Sequence, residues 1–378
     1  MGLVIEDQFL KEYLFTFLGK DNKQYGFRFG APKDAKGIIK IFENVYGYNY
    51  LYPYVYDVKL LEKSLTSEKK SWFIVKSIDN DKIVALSLLD LWKDYSVYAG
   101  KFAFLNEYRG LGIAQTMNTK SAFAFFSLHR DKEILRVDGD ARAENIKPQQ
   151  LAKDLNLIGY GFIPNYNNYG DKRNYKPSIE NPFSSGRMES VIMYCRPLKN
   201  FWKKRLKNIF LLNNEDILFF YEHIKSTERK MKKDNMTIHS KCKFISEEYT
   251  IKEDFYKSIL LIEGYLHEKT LIKLLKKYSN WNVIEWRIPT SKKGLYSQKI
   301  GLKHNFKIVG YDPGSHLKNN LLRDTLVYCN FPNGIDFKQF ENLHLLKKHE
   351  ELVYKVIDSI KKFKNKQPIL KNEKFKLI

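Results

Sequence analysis

A strand candidate at Tyr98–Leu105 runs into Glu107-Tyr108-Arg109-Gly110-Leu111-Gly112-Ile113-Ala114, and a helical pattern follows from Ala114 to Leu128. A strand delivered into a helix through a glycine-bearing turn is a building unit of α/β layers. Gly110 and Gly112 carry no Cβ, Ala114 keeps the start of the helix narrow, and Arg109 adds a charged donor. Main-chain N–H groups in such a turn can meet a pyrophosphate under the favourable end of the helix macrodipole. A tight turn that binds nothing would need the same residues, so the loop alone leaves both readings open.

The surrounding pattern alternates. Residues 1–24 read as a leader helix closed by the polar Gly19–Gln24; Tyr25–Phe29 is a strand, and Asp34 can cap a helix whose Ala35, Ile38, Ile39, Phe42 and Val45 recur at helical spacing. Trp72–Lys76 and Lys82–Trp92 flank the turn Asp79-Asn80-Asp81 as a hairpin, Ile134–Asp138 is a strand, Pro148–Asn156 a helix, and Gly161–Pro164 and Glu189–Arg196 are strands. Residues 198–236 read as a basic helical linker. Beyond it come a strand to Ile245, a helix across Phe255–Tyr278, a strand at Asn282–Ile288, a helix over Gly294–His304, and strands near Phe306–Tyr311 and Asp324–Asn330. A basic C-terminal helix and tail occupy residues 336–378.

Two stretches of this order repeat. Gln149-Gln150-Leu151 through Gly161-Phe162-Ile163-Pro164 matches Ser297-Gln298-Lys299 through Gly310-Tyr311-Asp312-Pro313, and Val191-Ile192-Met193-Tyr194-Cys195 matches Thr325-Leu326-Val327-Tyr328-Cys329. Nothing in the second copy resembles Arg109–Ala114. The repeat predicts one phosphate loop for two units.

Composition excludes several classes. With 378 residues, 43% hydrophobic and 15% aromatic, the chain has enough apolar surface for a core and is neither a disulfide miniprotein nor compositionally disordered. Apolar runs such as Val84–Leu89 fall far short of the roughly 18 residues needed to cross a bilayer, so no transmembrane segment is expected. Without the marks of a signal peptide at Met1–Glu6, a cytoplasmic location is the expectation. The three cysteines, Cys195, Cys242 and Cys329, lack metal-ligand spacing and read as thiols, and the eight histidines show no paired spacing, so no metal site is expected. A formal charge of +22 favours polyanions without choosing among nucleic acid, acidic lipid and phosphorylated cofactors.

Arg109-x-x-Gly112-x-Ala114, after a strand and before a helix, resembles the signature loop of the GNAT (Gcn5-related N-acetyltransferase) acyltransferases. The resemblance covers about residues 25–197, and takes in Asp138–Asn145 and the run Leu151–Phe162. It implies a mixed, largely antiparallel sheet flanked by helices, with a second, smaller and degenerate GNAT-like α/β unit at 237–335. It further implies an acyl-CoA donor, usually acetyl-CoA, with its pyrophosphate on Arg109, Gly110, Leu111, Gly112, Ile113 and Ala114. The pantetheine arm would run along Phe104 and Leu105, with Asn145 nearby. Independently of the family, transfer to an amine needs a base and an acid. Glu107, Asp138 and Asp140 stand at strand ends as candidate bases, and Tyr160 or Tyr166 as acid, each of which could equally be a structural group. The early loop in such folds forms part of the acceptor pocket, so Tyr46, Tyr50 and Tyr54, from the run Tyr46–Asp57, are expected to line it; an aromatic satellite core or a nucleic-acid stacking platform would use the same rings.

The reading that follows is an N-acyltransferase acting on a small-molecule or peptide amine, with a homodimer as one arrangement. Rivals are a tRNA-dependent aminoacyl transferase built of tandem GNAT units, and a non-catalytic module for nucleic acid, an acyl carrier protein or another acidic partner.

Overall fold

The computed structural model of the chain describes residues 12–184 and 186–364. Strands β1 (Phe15–Leu18) and β2 (Gln24–Phe29) open it as an antiparallel hairpin. Phe15–Leu18 is therefore a strand, where the sequence suggested the end of a leader helix; positions 1–11 lie outside the described residues. Helices α1 (Ala35–Tyr46) and α2 (Val58–Leu65) precede β3 (Lys70–Ser77), β4 (Lys82–Lys93) and β5 (Ser96–Phe104). Then come α3 (Ile113–Leu128), β6 (Arg136–Arg142), α4 (Ile146–Asp154), β7 (Ile158–Tyr169) and β8 (Arg187–Pro197).

Helix α1 forms because Ala35, Ile38, Ile39, Ile41 and Phe42 fall on one face and are buried against the sheet. Asp34 stands at its N-cap position, but the carboxylate takes Arg28 at 2.7 and 2.8 Å and the Ala31 N–H at 2.8 Å instead of capping the helix. Ile38, Phe42, Trp72, Leu86 and Ala103 make the core on the α1 side of the sheet. On the other face Phe27, Phe73, Val84, Val97, Met117 and Phe125 pack beneath α3.

The segment read as a linker is folded. A single helical turn at Phe201–Lys204 leads to β9 (Asn208–Leu212), α5 (Glu215–Thr227) and β10 (Asn235–His239), and β9 and β10 pair in parallel as a separate two-stranded sheet. Next are β11 (Glu248–Asp254), β12 (Ile259–Tyr265), α6 (Glu268–Lys277), β13 (Val283–Pro289), α7 (Gly294–Lys303), β14 (Lys307–Lys318), β15 (Leu321–Asn330) and α8 (Lys347–Lys364). Ile259–Tyr265, expected inside a long helix, is a strand because it pairs in parallel with β13 and antiparallel with β11, burying Ile259, Leu260 and Ile262 between neighbours. No helix among the described residues is long and apolar enough to cross a membrane.

One 13-stranded sheet carries both halves in the order β1-β2-β3-β4-β5-β6-β8-β7-β14-β15-β13-β12-β11. Read outward from its middle, the series β7-β8-β6-β5-β4 is matched by β14-β15-β13-β12-β11. The halves meet antiparallel at Gly161 and Gly310, the two glycines aligned in the sequence repeat. A Cβ on Gly310 would lie 2.5 Å from the Tyr160 carbonyl oxygen and 2.7 Å from the Gly161 Cα, so this crossing requires glycine. Helix α8 covers the seam, packing on both β7 and β14. At the seam, Arg136 and Arg287 share the fully buried Asp312 at 2.8 and 2.7 Å.

Candidate functional site

Strands β5 and β6 run parallel for three pairs, Ser96 with Arg136, Val97 with Val137 and Tyr98 with Asp138, and then part. From Ala99 to Phe104, β5 keeps only its β4 neighbour, and that ladder is interrupted by a bulge between the pairs Leu86–Ala103 and Leu88–Gly100. Lys101 sits in the bulge with φ +54°, a conformation L residues avoid. The opening between the parting strands leads to the glycine turn.

That turn is held at its base and free at its rim. The Arg109 N–H donates to Asn106 O at 3.2 Å, Lys20 N–H to Leu111 O at 3.1 Å, and Thr116 N–H to Gly112 O at 3.3 Å. Among the described residues nothing accepts from the N–H groups of Gly110, Leu111, Gly112, Ile113 or Ala114. Gly110 and Gly112 have φ of +82° and +83°, and a Cβ on either would meet nothing within 4 Å, so the space beside both glycines is open. No acidic residue occupies the first turn of α3. Exposed Arg109 stands beside the turn, its guanidinium 3.4 Å from Phe104 O. Several N–H dipoles, a helix terminus and a guanidinium thus converge where a di-anion can be received.

The corresponding turn of the second half is closed. Between β12 and α6, the Leu266 N–H donates to Ser297 Oγ at 3.1 Å, His267 N–H to Glu247 Oε1 at 2.8 Å, and Lys269 N–H to His267 Nδ1 at 3.2 Å. Glu268 adds negative charge at the first turn, where an anion would have to sit.

The other residues singled out in the sequence fall into different surroundings. Phe104 is half-buried, while Leu105 is core and its N–H is taken by Val84 O at 3.0 Å. Asn145 caps α4, its Oδ1 accepting from Lys147 N–H at 3.1 Å. Exposed Glu107 pairs with Lys82 at 3.1 Å, and hydrogen bonding by its own amide, followed by Lys82, holds its carboxyl below the usual range. Asp138 and Tyr160 are set deeper in the protein. Asp138 is buried and takes Arg136, Ser96 and the Trp92 indole. Tyr160 is 2% exposed, its hydroxyl accepts from Arg287 at 3.2 Å, and burial pushes it well above the ordinary phenol range. Both belong to the ion network at the seam. Asp140, by contrast, is half-buried and receives the Tyr98 hydroxyl.

Asp140 faces an aromatic pit. Tyr46 stacks on Tyr169 at 6.4 Å and 10°, and lies 4.8 Å from Tyr50, which continues through Tyr52 to Tyr54 at centroid spacings of 6.4 and 6.3 Å. Tyr50 is 7% exposed and packs on Phe42, so it is as much core as wall; Tyr46 and Tyr54 keep partial exposure. Burial raises the hydroxyls of Tyr52, Tyr98, Tyr166 and Tyr169 well above 10.0 although each residue still meets solvent. These enclosed yet partly exposed rings form one aromatic cluster beside Asp140. Its far wall comes from the second half, where Asp254 accepts from Tyr52 at 2.7 Å and the Lys257 ammonium lies 4.0 Å above the Tyr166 ring.

Sequence reasoning missed Tyr98, Lys101, Tyr169, Asp254 and Lys257, which no local spacing marks. It also missed Asn118 on α3, 7% exposed, whose amide nitrogen and oxygen have no partner among the described residues. Arg142 lies 5.3 Å over Tyr169 and binds Glu189 at 2.6 Å; burial, then the neighbouring Glu144, pushes Glu189 up against the pull of that guanidinium.

No family model and no curated protein matches the chain. Among solved structures, it is similar to ribosomal-protein-S5-alanine acetyltransferase from Vibrio fischeri (14% identity, 50% of this chain and 98% of that one, TM-score 0.38). It is also similar to spermidine/spermine N-acetyltransferase from Vibrio cholerae (15% identity, 47% and 95%, TM-score 0.35). Likeness at such identity concerns the fold alone. The strand order, the splayed parallel pair and the glycine turn that opens the helix between them give the first half of this chain the mixed, mostly antiparallel α/β layout expected from its resemblance to GNAT acyltransferases.

Proposed function

We propose that the chain is an acyltransferase that moves an acyl group from acyl-CoA to an amine by direct transfer. The observation that carries this reading is the open turn Arg109–Ala114, whose free amides face unfilled space beside two parted strands. In this reading Arg109 and the amides of Gly110–Ala114 hold the pyrophosphate. The pantetheine arm enters between β5 and β6, and Asn118 on α3 is a buried donor and acceptor without a partner among the described residues. Asp140 is the base that relieves the attacking nitrogen of its proton, directly or through water, and Tyr98 fixes its carboxylate. Bulge backbone near Lys101 offers N–H groups to a carbonyl oxygen gaining charge. Residues 25–197 would form the acyl-CoA unit and residues 237–335 a duplicated copy that lost its turn and now supplies one wall of the acceptor pit.

Calorimetric titration with acetyl-CoA tests it: one site per chain is expected, because only one of the two turns is open. Binding that is absent, or two equivalent sites, contradicts the reading. The two-unit sheet and the charge of +22 favour a second reading, an aminoacyl transferase using charged tRNA. In that case nucleic-acid binding would collapse with added salt, whereas acetyl-CoA binding should survive moderate salt.

A further inference from the structure

We propose that Lys101 is itself an acyl acceptor: its side-chain nitrogen takes the acyl group of a bound acyl-CoA, and the resulting Nε-acyl-lysine closes the aromatic pit to external amines. The inference rests on the acyl-CoA reading above. Its first support is position. Lys101 occupies the bulge of β5, in a left-handed backbone conformation, on the stretch where β5 has lost its β6 partner. Conformations of this kind persist where the surrounding structure enforces them, and bulges re-aim side chains beside active sites.

The second support is the company the nitrogen keeps. It lies 4.9 Å over the Tyr52 ring and 5.8 Å from that of Tyr54, inside the pit where an amine acceptor would bind. Among the described residues it makes no hydrogen bond and no ion pair, unlike Lys82, Lys93 and Lys204. The charges around it are Asp90 on β4, Asp140 on β6 and Asp254 at the end of β11, with the Lys257 ammonium opposing them. Burial outweighs the carboxylates and lowers the ammonium to about 8, so a substantial fraction of the side chain is neutral near that pH. A neutral amine, held by ring faces and beside the candidate base, meets the requirements of the acceptor.

The step balances without another reactant. The Nζ lone pair attacks the thioester carbonyl, the N–C bond forms as the C–S bond breaks, and the thiol of CoA leaves with the proton shed by nitrogen. The product has lost a positive charge and its cation–π contacts, and its added carbonyl and alkyl group stand among the rings of Tyr52 and Tyr54.

The test is incubation of the full chain with acetyl-CoA at pH 8, followed by proteolysis and mass spectrometry over time. Equilibrium dialysis of acetyl-CoA runs alongside. Lys101 is expected to gain one acetyl group about tenfold or more faster than the exposed Lys36 and Lys203, and to lose that preference when the chain is heat-unfolded first. Acetylation at Lys101 no faster than at Lys203, with acetyl-CoA shown to bind, overturns the inference and leaves the transferase reading standing. Absence of acetyl-CoA binding removes both.

Discussion

Asp138 and Asp140 are two residues apart on β6, and their partners separate them. Asp138 accepts from Arg136 at 2.8 Å within a buried network, whereas Asp140, among the described residues, receives only the Tyr98 hydroxyl. Asp140→Asn is therefore expected to lower the turnover of amine acetylation by about 10²-fold while leaving the KM for acetyl-CoA within about twofold, as read from thiol release. Asp138→Ala should instead leave Arg136 with only the carboxylate of Asp312 that it shares with Arg287, and cost about 3 kcal/mol of stability, visible in thermal melts. His349 makes a different prediction. It is 3% exposed on α8, its Nε2 lies 2.9 Å from the Tyr194 hydroxyl, and burial, followed by Lys348 and His223, lowers it to about 3. A histidine depressed below its unfolded value near 6.5 leaves the unfolded chain binding the extra proton, so its contribution is present above pH 6.5 and lost as pH falls. Stability should drop by about 1.4 kcal/mol per unit below pH 6.5, and His349→Gln should flatten that part of the curve of melting temperature against pH.

At the level of elements, the glycine turn was legible because its requirement is local: two positions at positive φ before a helix admit little but glycine. Helix α1 was legible from the spacing of Ile38, Phe42 and Val45. By contrast Ile259-Leu260-Leu261-Ile262 looks the same in a buried helix as in a central strand, and its pairing with β11 on one side and with Val283–Arg287 on the other decides for the strand. The aromatic pit was half legible for the same reason. Tyr46, Tyr50 and Tyr54 lie within one short run of sequence, but Asp254 and Lys257 reach the rings through tertiary pairing alone. Gly112→Ala tests the turn as an element. Holding alanine at φ +83° costs on the order of 1–2 kcal/mol, which the helix can escape by rotating the peptides that face the open space. The chain should stay folded, and the dissociation constant for acetyl-CoA should rise by about tenfold or more, measured by calorimetry; an unchanged constant would remove the turn from the binding site.

Across the whole molecule, the two halves share one sheet, one buried ion network and one covering helix, so neither half has a complete core without the other. The seam is narrowest where Gly161 faces Gly310. Any Cβ at Gly310 falls on backbone atoms of Tyr160 and Gly161, which cannot rotate aside as a side chain could, so the strands must separate. Separation pulls Asp312 from between Arg136 and Arg287, and it displaces β14 relative to the wall that carries Tyr166 and Lys257. Gly310→Ala is thus expected to cost about 1–3 kcal/mol by overpacking and to lower the melting temperature in a single transition. On the proposed reading, acetyl-CoA binding to the turn at Gly110–Ala114, which belongs wholly to the first half, should persist in this variant, while the KM for the amine rises because that reading builds the acceptor pit from both halves. Were amine KM and acetyl-CoA affinity to worsen together, the pit and the turn would be one site within the first half, and the second half would have no part in acceptor recognition.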